Sequence, residues 1–139
     1  GPLLGHAAHL ARERMDVRLA RYDVTPAQTH VLLYLGEQSG PTPQRDVVEP
    51  LRVKPPTANG ILDRLEEKKL TCRRADPEDL RQKRVCLTEK GRELRVRLQN
   101  AFQEGAALTL HGLSEEETAV LRGLLNRIIQ NLEEDRISC

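Results

Sequence analysis

A chain of 139 residues has room for one domain with a real core, and its formal net charge of +1 selects no partner by itself. Only 2% of the residues are aromatic and tryptophan is absent, so the core has to come from leucine, valine, isoleucine and alanine, which suits packed helices better than a sheet sandwich. No segment approaches the roughly 18 consecutive apolar residues of a membrane span, and none has the build of a secretory leader; the expectation is a soluble cytoplasmic protein with no membrane partner.

Leu3 to Arg21 is rich in alanine, leucine and arginine and predicts a first helix. Thr25-Pro26-Ala27-Gln28 reads as a helix start, with Thr25 as N-cap, proline in the first turn and Gln28 closing a capping box. Val31, Leu32 and Leu35 then fall on the buried side of a second helix that ends near Gly36. Thr42-Pro43 can cap a short third helix, which ends near Glu49 because Pro50 supplies no backbone donor. Pro55 and Pro56 stand where a fourth helix tolerates proline, and Ile61, Leu62 and Leu65 give it an apolar stripe as far as about Lys69.

Leu70–Arg74 and Arg84–Thr88 have strand character and are joined by the charged loop Ala75–Lys83. A long fifth helix opens at Thr88 and reaches about His111, with Gly112 as its stop. Ser114-Glu115-Glu116-Glu117 is a capping box with acids placed against a helix dipole. It opens a sixth helix carrying Val120, Leu121, Leu124, Leu125, Ile128, Ile129 and Leu132.

Charge is unevenly spread along this order. Residues 54–92 hold eleven lysines and arginines against seven acids, a net of +4, while residues 114–135 hold two arginines against six acids, a net of −4. A helix that can enter a groove, followed by a hairpin whose tip carries Arg81, Lys83 and Arg84, is how a winged helix-turn-helix protein reads duplex DNA. The expected fold is mainly α with a small β-hairpin wing, together with a helical dimerisation region. It forms one domain over 1–139: 1–22 and 105–139 are the dimerisation helices, and 23–104 is the winged lobe with the start of the long fifth helix. The outer helices carry more apolar surface than one thin layer can hide, and a symmetric homodimer would cover it.

The runs LDRLEEKKL and DPEDLRQKRVCLTEKG resemble the multiple-antibiotic-resistance regulator (MarR) family of bacterial and archaeal transcription factors. The resemblance is sharpest between Thr57 and Gly91. It rests on Asp79-Leu80-Arg81 followed shortly by Leu87-Thr88-Glu89-Lys90-Gly91. Two positions depart from the family pattern. Lys69 stands where a Lys-Gly-Leu glycine is usual, which asks a lysine to adopt a helix-end conformation. Pro50 falls late in the third helix. The resemblance implies a homodimeric regulator, a repressor by family habit, that binds a pseudo-palindromic double-stranded operator and is released by a small phenolic or anionic effector. It also implies that the wing-tip Arg81 enters the minor groove, where narrow A·T-rich DNA concentrates negative potential.

Asp79 is expected to pair with a nearby arginine and hold the wing in shape. The fourth helix offers Pro56, Thr57, Asn59 and Gly60 in its first turns; Asn can bond adenine and Thr can touch a thymine methyl. Gly60 serves either close approach to DNA or close packing on another helix. Lys54, Arg64 and Gln44 are placed on phosphates, with an ion pair on its own helix as the alternative for Arg64. Arg73, Arg74, Lys83 and Arg84 add general phosphate attraction from the hairpin. By the resemblance, an effector crevice is lined from the first, second and fifth helices, with His9, Arg12, His30, Tyr34 and Arg92 as candidates; a His or Tyr there can equally belong to core or interface.

Cys72 and Cys86 occupy opposite strands and could face each other, but in a reducing compartment they are expected to stay inert thiols. The four histidines and three cysteines show no metal spacing beyond His6-x-x-His9, so neither metal nor cofactor is expected. No phosphate loop, nucleophile elbow or paired-carboxylate pattern suggests an enzyme. A pure protein-interaction module is the other reading, and it leaves the basic hairpin without a purpose.

Overall fold

A computed structural model describes residues 1–138, the last of them by its backbone alone. The helices are α1 (Pro2–Ala20), α2 (Pro26–Glu37), α3 (Gln44–Val48), α4 (Pro55–Glu67), α5 (Glu89–Thr109) and α6 (Glu115–Ser138). The strands are β1 (Thr42–Pro43), β2 (Thr71–Ala75) and β3 (Lys83–Leu87), and a 3-10 turn, Glu49–Leu51, follows α3. The fold is thus mostly helical with a small antiparallel sheet, as expected. None of the described helices is long and apolar enough to cross a membrane. Packing divides the chain into two units, Gly1–Glu104 and Gly105–Cys139.

Local chemistry sets most of the helix ends. Thr25 Oγ1 accepts the Gln28 amide at 3.2 Å while Gln28 Oε1 accepts the Thr25 amide, completing the box expected at α2. Ser114 and Glu117 exchange the same pair of bonds at α6. At the end of α4, Lys69 adopts φ +63°, its amide bonds to Glu66 O, and the Leu70 amide bonds back to Leu65 O. That is a Schellman ending with lysine in the left-handed position that glycine would occupy at lower cost.

Thr42-Pro43 behaves differently from the expected cap. The two residues pair with β3, Thr42 opposite Val85 and Pro43 opposite Arg84, so the sheet has three strands in the order β1-β3-β2. No side chain caps α3. Pro43 has no N–H to give, and it is tolerated because β1 is an edge strand.

The core of the first unit joins Leu19 of α1, Val31, Leu32 and Leu35 of α2, Val47 of α3, Leu62 and Leu65 of α4, Val85 of β3 and Leu98 of α5. Full burial of each such leucine contributes roughly 2 kcal/mol. Ile61, expected in the α4 stripe, is only partly buried at its margin.

The Leu-Thr-x-x-Gly run is the joint between wing and α5. Thr88 Oγ1 accepts the Gly91 amide at 3.0 Å and donates to Lys69 O at 2.7 Å. A Cβ on Gly91 would stand 2.0 Å from the Leu70 carbonyl oxygen, so backbone fills the space a side chain would need.

Candidate nucleic-acid interface

α3 and α4 form the helix-turn-helix. Arg52, at φ +53°, turns the chain between them, and the two prolines open α4. Ala58, Leu62 and Leu65 face the core, which leaves Lys54, Pro56, Thr57, Asn59 and Arg64 exposed on the other side. Around Gly60 the nearest atom to an added Cβ is an Arg64 nitrogen at 3.6 Å. Among the described residues no neighbouring helix packs there, which removes the close-packing reading of that glycine within the chain. Gln44 Nε2 donates to Asn59 Oδ1 at 3.2 Å and so ties the start of α3 to the exposed face of α4. Arg64 makes no ion pair among the described residues, against the alternative of a partner on its own helix.

The wing is shaped by its acids. Asp76 Oδ1 accepts the Glu78 amide at 2.9 Å, and its other oxygen lies 3.4 Å from Arg84 Nε. The amide bond, with help from Arg84, holds the Asp76 carboxyl below its ordinary range. Asp79 Oδ1 accepts the Arg81 amide at 3.0 Å and lies 3.6 Å from Arg81 Nε. An Asp two residues before an Arg therefore bends the tip by a local turn and leaves the guanidinium projecting, 94% exposed.

Strand alternation splits the hairpin cations between two faces. Arg73 points to α4, where it pairs with Asp63 and Glu66, and its side chain is 15% exposed. The Glu66 carboxyl is held down by that bond, and the arginine is driven further into its charged form. Arg73 thus departs from the expected phosphate role: although it reaches the groove wall, its Nε and Nη2 are taken by Asp63 and Glu66, one turn apart on α4. Arg84 is likewise turned back on Asp76.

Arg74 faces away from α4 altogether. The cations left on the α4 side are Lys54, Arg64, Arg81 and Lys83, joined by Arg45, which sequence reasoning passed over. Arg45, Gln44, Asn59, Arg81 and Lys83 line a groove of about 700 Å³ between α3, α4 and the wing.

A second crevice, of about 410 Å³, lies between the end of α2, the wing and α5. Arg74, Arg92, Arg95 and Cys86 line it, and Arg95 Nε is buried without a hydrogen-bond partner among the described residues. Of the five expected effector residues only Arg92 is here. Tyr34 lines a neighbouring hollow with Arg84 and Asp46. His9, Arg12 and His30 are exposed and line neither, with His9 3.8 Å from Glu13 one turn on. The expected set joined residues by helix, whereas the crevice is made where strand, loop and helix converge.

The sequence model of the MarR family matches residues 24–83, from α2 to the first residue of β3. A solved structure described as a probable transcriptional regulator from Pseudomonas aeruginosa is 33% identical, with 89% of this chain and 95% of that one covered at a TM-score of 0.74. MepR of S. aureus, solved as a complex with DNA, is 31% identical over 93% of this chain and 95% of its own, at 0.80. The transcriptional regulator SlyA is 27% identical, with 96% and 94% covered, at 0.79. A winged helix-turn-helix lobe with these relatives defines a transcription regulator rather than an enzyme. The chain belongs to the MarR family.

Proposed function

We propose that the protein binds a pseudo-palindromic operator as a homodimer, as a cytoplasmic repressor that a small anionic or phenolic effector releases. The observation that carries this reading is the pairing of a bare, exposed α4 start with a projecting Arg81 across one groove. Thr57 and Asn59 are assigned to base edges, and Pro56 and Gly60 to the close approach of the helix. Lys54, Arg64, Lys83, Gln44 and Arg45 are assigned to phosphates, Asp79 to holding the tip, and Arg81 to the minor groove.

Two copies of α4 would enter successive major grooves about one helical turn apart. Residues 1–22 and 105–139 would form the dimerisation region and 23–104 the reading lobe. The support is the apolar face of α6, from Val120 to Leu132, largely open to solvent in a single chain. The effector site is assigned to the arginine crevice. Arg92, Arg74 and the unpartnered Arg95 Nε suit a carboxylate, and an effector that prefers one lobe arrangement would shift the population away from the DNA-binding one.

The test is fluorescence anisotropy on duplex from upstream of its own gene, against a scrambled duplex, at two salt concentrations. Preference on the order of 10³-fold with a steep salt slope is expected. Arg81→Ala should lose at least about tenfold, roughly 1.4 kcal/mol. Equal affinity for both duplexes, or an unchanged Arg81→Ala, would overturn the reading.

A further inference from the structure

Two groups take no part in reading DNA: the thiols of Cys72 and Cys86. The ladder sets them directly opposite each other, and their Sγ atoms lie 2.6 Å apart. The Thr88 amide bonds to Leu70 O, and the Asp76 amide bonds to Gln82 O. Alternate rungs between those two ends, Cys72–Cys86 among them, are therefore hydrogen-bonded pairs, with Cα atoms about 5.5 Å apart. A disulfide spans Cα separations of about 4.4–6.8 Å, so no strand has to change register to make one.

Alternation puts both thiols on the wing face turned away from α4, the face that also carries Arg74 and Arg84. Cys86 lines the arginine crevice, whereas Cys72 does not. Both cysteines are half-buried, and a small reagent held in the crevice meets Cys86 first.

We propose that Cys72 and Cys86 are an oxidisable dithiol, which a hydroperoxide converts into a disulfide across the wing, and that this crosslink weakens DNA binding. In the first step the Cys86 sulfur attacks the peroxide. The O–O bond breaks, an alcohol (or water) leaves, and a sulfenic acid is formed. In the second step Cys72 Sγ displaces the hydroxyl, which departs as water with the thiol proton, and the S–S bond closes. Two thiols lose two electrons and the peroxide gains them. A thiol reductant reverses the bond by exchange.

The effect on DNA follows from position. The pair sits in the two strands that carry the tip, and drawing β2 onto β3 moves the loop that presents Arg81. Burial and the neighbouring Cys72 hold the Cys86 thiol above its ordinary range, while Arg74 and Arg92 pull it the other way. The thiolate is the nucleophile, so the reaction should quicken as pH rises above neutral.

The effect on DNA rests on the proposed function; the oxidation itself does not, and the two are read separately. The test uses the full chain as a Cys139→Ser variant, so that only these two cysteines remain. Protein is treated with hydrogen peroxide or cumene hydroperoxide, alkylated and weighed intact. Loss of both alkylatable thiols with a mass lower by two hydrogens, restored by dithiothreitol, is the expected result. Oxidised protein should bind operator duplex roughly fivefold more weakly or worse, and recover on reduction. Cys72→Ser and Cys86→Ser should bind normally, form no intramolecular disulfide with peroxide and keep their DNA affinity. Two free thiols after treatment, a gain of oxygen in place of the loss of two hydrogens, or oxidised protein with unchanged DNA affinity would each overturn the proposal.

Discussion

Residues 1–104 and helix α6 treat similar apolar residues in opposite ways. In the first unit, leucines and valines from α1 to α5 meet at one core, and Leu32, Leu62, Leu65 and Val85 are wholly buried. In α6, Val120, Leu124, Ile129 and Leu132 are each about half exposed or more. The first arrangement is finished by elements of the same unit. The second has a well-capped helix, made by Ser114 and Glu117, whose apolar side is left without cover of that kind. A capped helix is stable locally, while an apolar stripe is stable only against another surface. The contrast teaches that the first unit is specified by packing within itself, whereas α6 is specified as a helix by its own caps.

The largest expected effect breaks the lobe. Gly91→Val forces a side chain into the Leu70 carbonyl, and the lobe should lose about 3 kcal/mol or more, read as a fall in urea midpoint. If the midpoint holds, the joint between wing and α5 is softer than its geometry. Next comes the other side of the comparison. Leu121→Arg with Leu125→Arg should weaken self-association at least about a hundredfold, roughly 2.7 kcal/mol, as read by sedimentation equilibrium, while leaving the lobe's α2–α5 core folded. An unchanged mass distribution would show that α6 is not the dimer surface.

Arg73→Met keeps the arginine's stem but strands Asp63 and Glu66 beside each other. A loss of about 1–3 kcal/mol is expected, with α4 less firmly held to the wing. Normal stability combined with a reduced salt slope would mean that Arg73 reaches phosphate after all.

The smallest effect is on pH. Glu66 and Asp76 both have folded-state values below their ordinary 4.5 and 3.8. Their contribution is present above those values and is lost as pH falls through the lower folded ones. Lobe stability should therefore decline in mild acid, and Glu66→Gln with Asp76→Asn should flatten that decline. A double variant with the same acid profile as the parent would assign it to other groups.

Much of this was legible in the chain because the rules that govern it are local. The Thr25–Gln28 and Ser114–Glu117 boxes join residues three apart, and Lys69 announces its left-handed helix end by standing where a glycine is usual. Asp79 and Arg81 form their turn over two residues. The Val31, Leu32 and Leu35 stripe follows from 3.6-residue periodicity alone. β1 was not legible, since two residues are too short to show a period, and Thr42-Pro43 suits a cap equally well.

Arg73 and Arg74 are adjacent and identical in sequence. Only the pleat, and the position of α4 over one face of it, sends the first to Asp63 and Glu66 and the second to the crevice. That Cys72 and Cys86 could face each other was legible from their strands, but the shared rung itself was fixed only by how the wing turn closes. The sequence alone determined the order of the helices and of the two hairpin strands, the Thr25–Gln28 and Ser114–Glu117 caps and the family pattern, since these depend on residues within a turn or two of one another. The tertiary structure decided which cations remain free, which arginines share a crevice and which thiols meet, because each of those depends on distances between residues far apart in the chain.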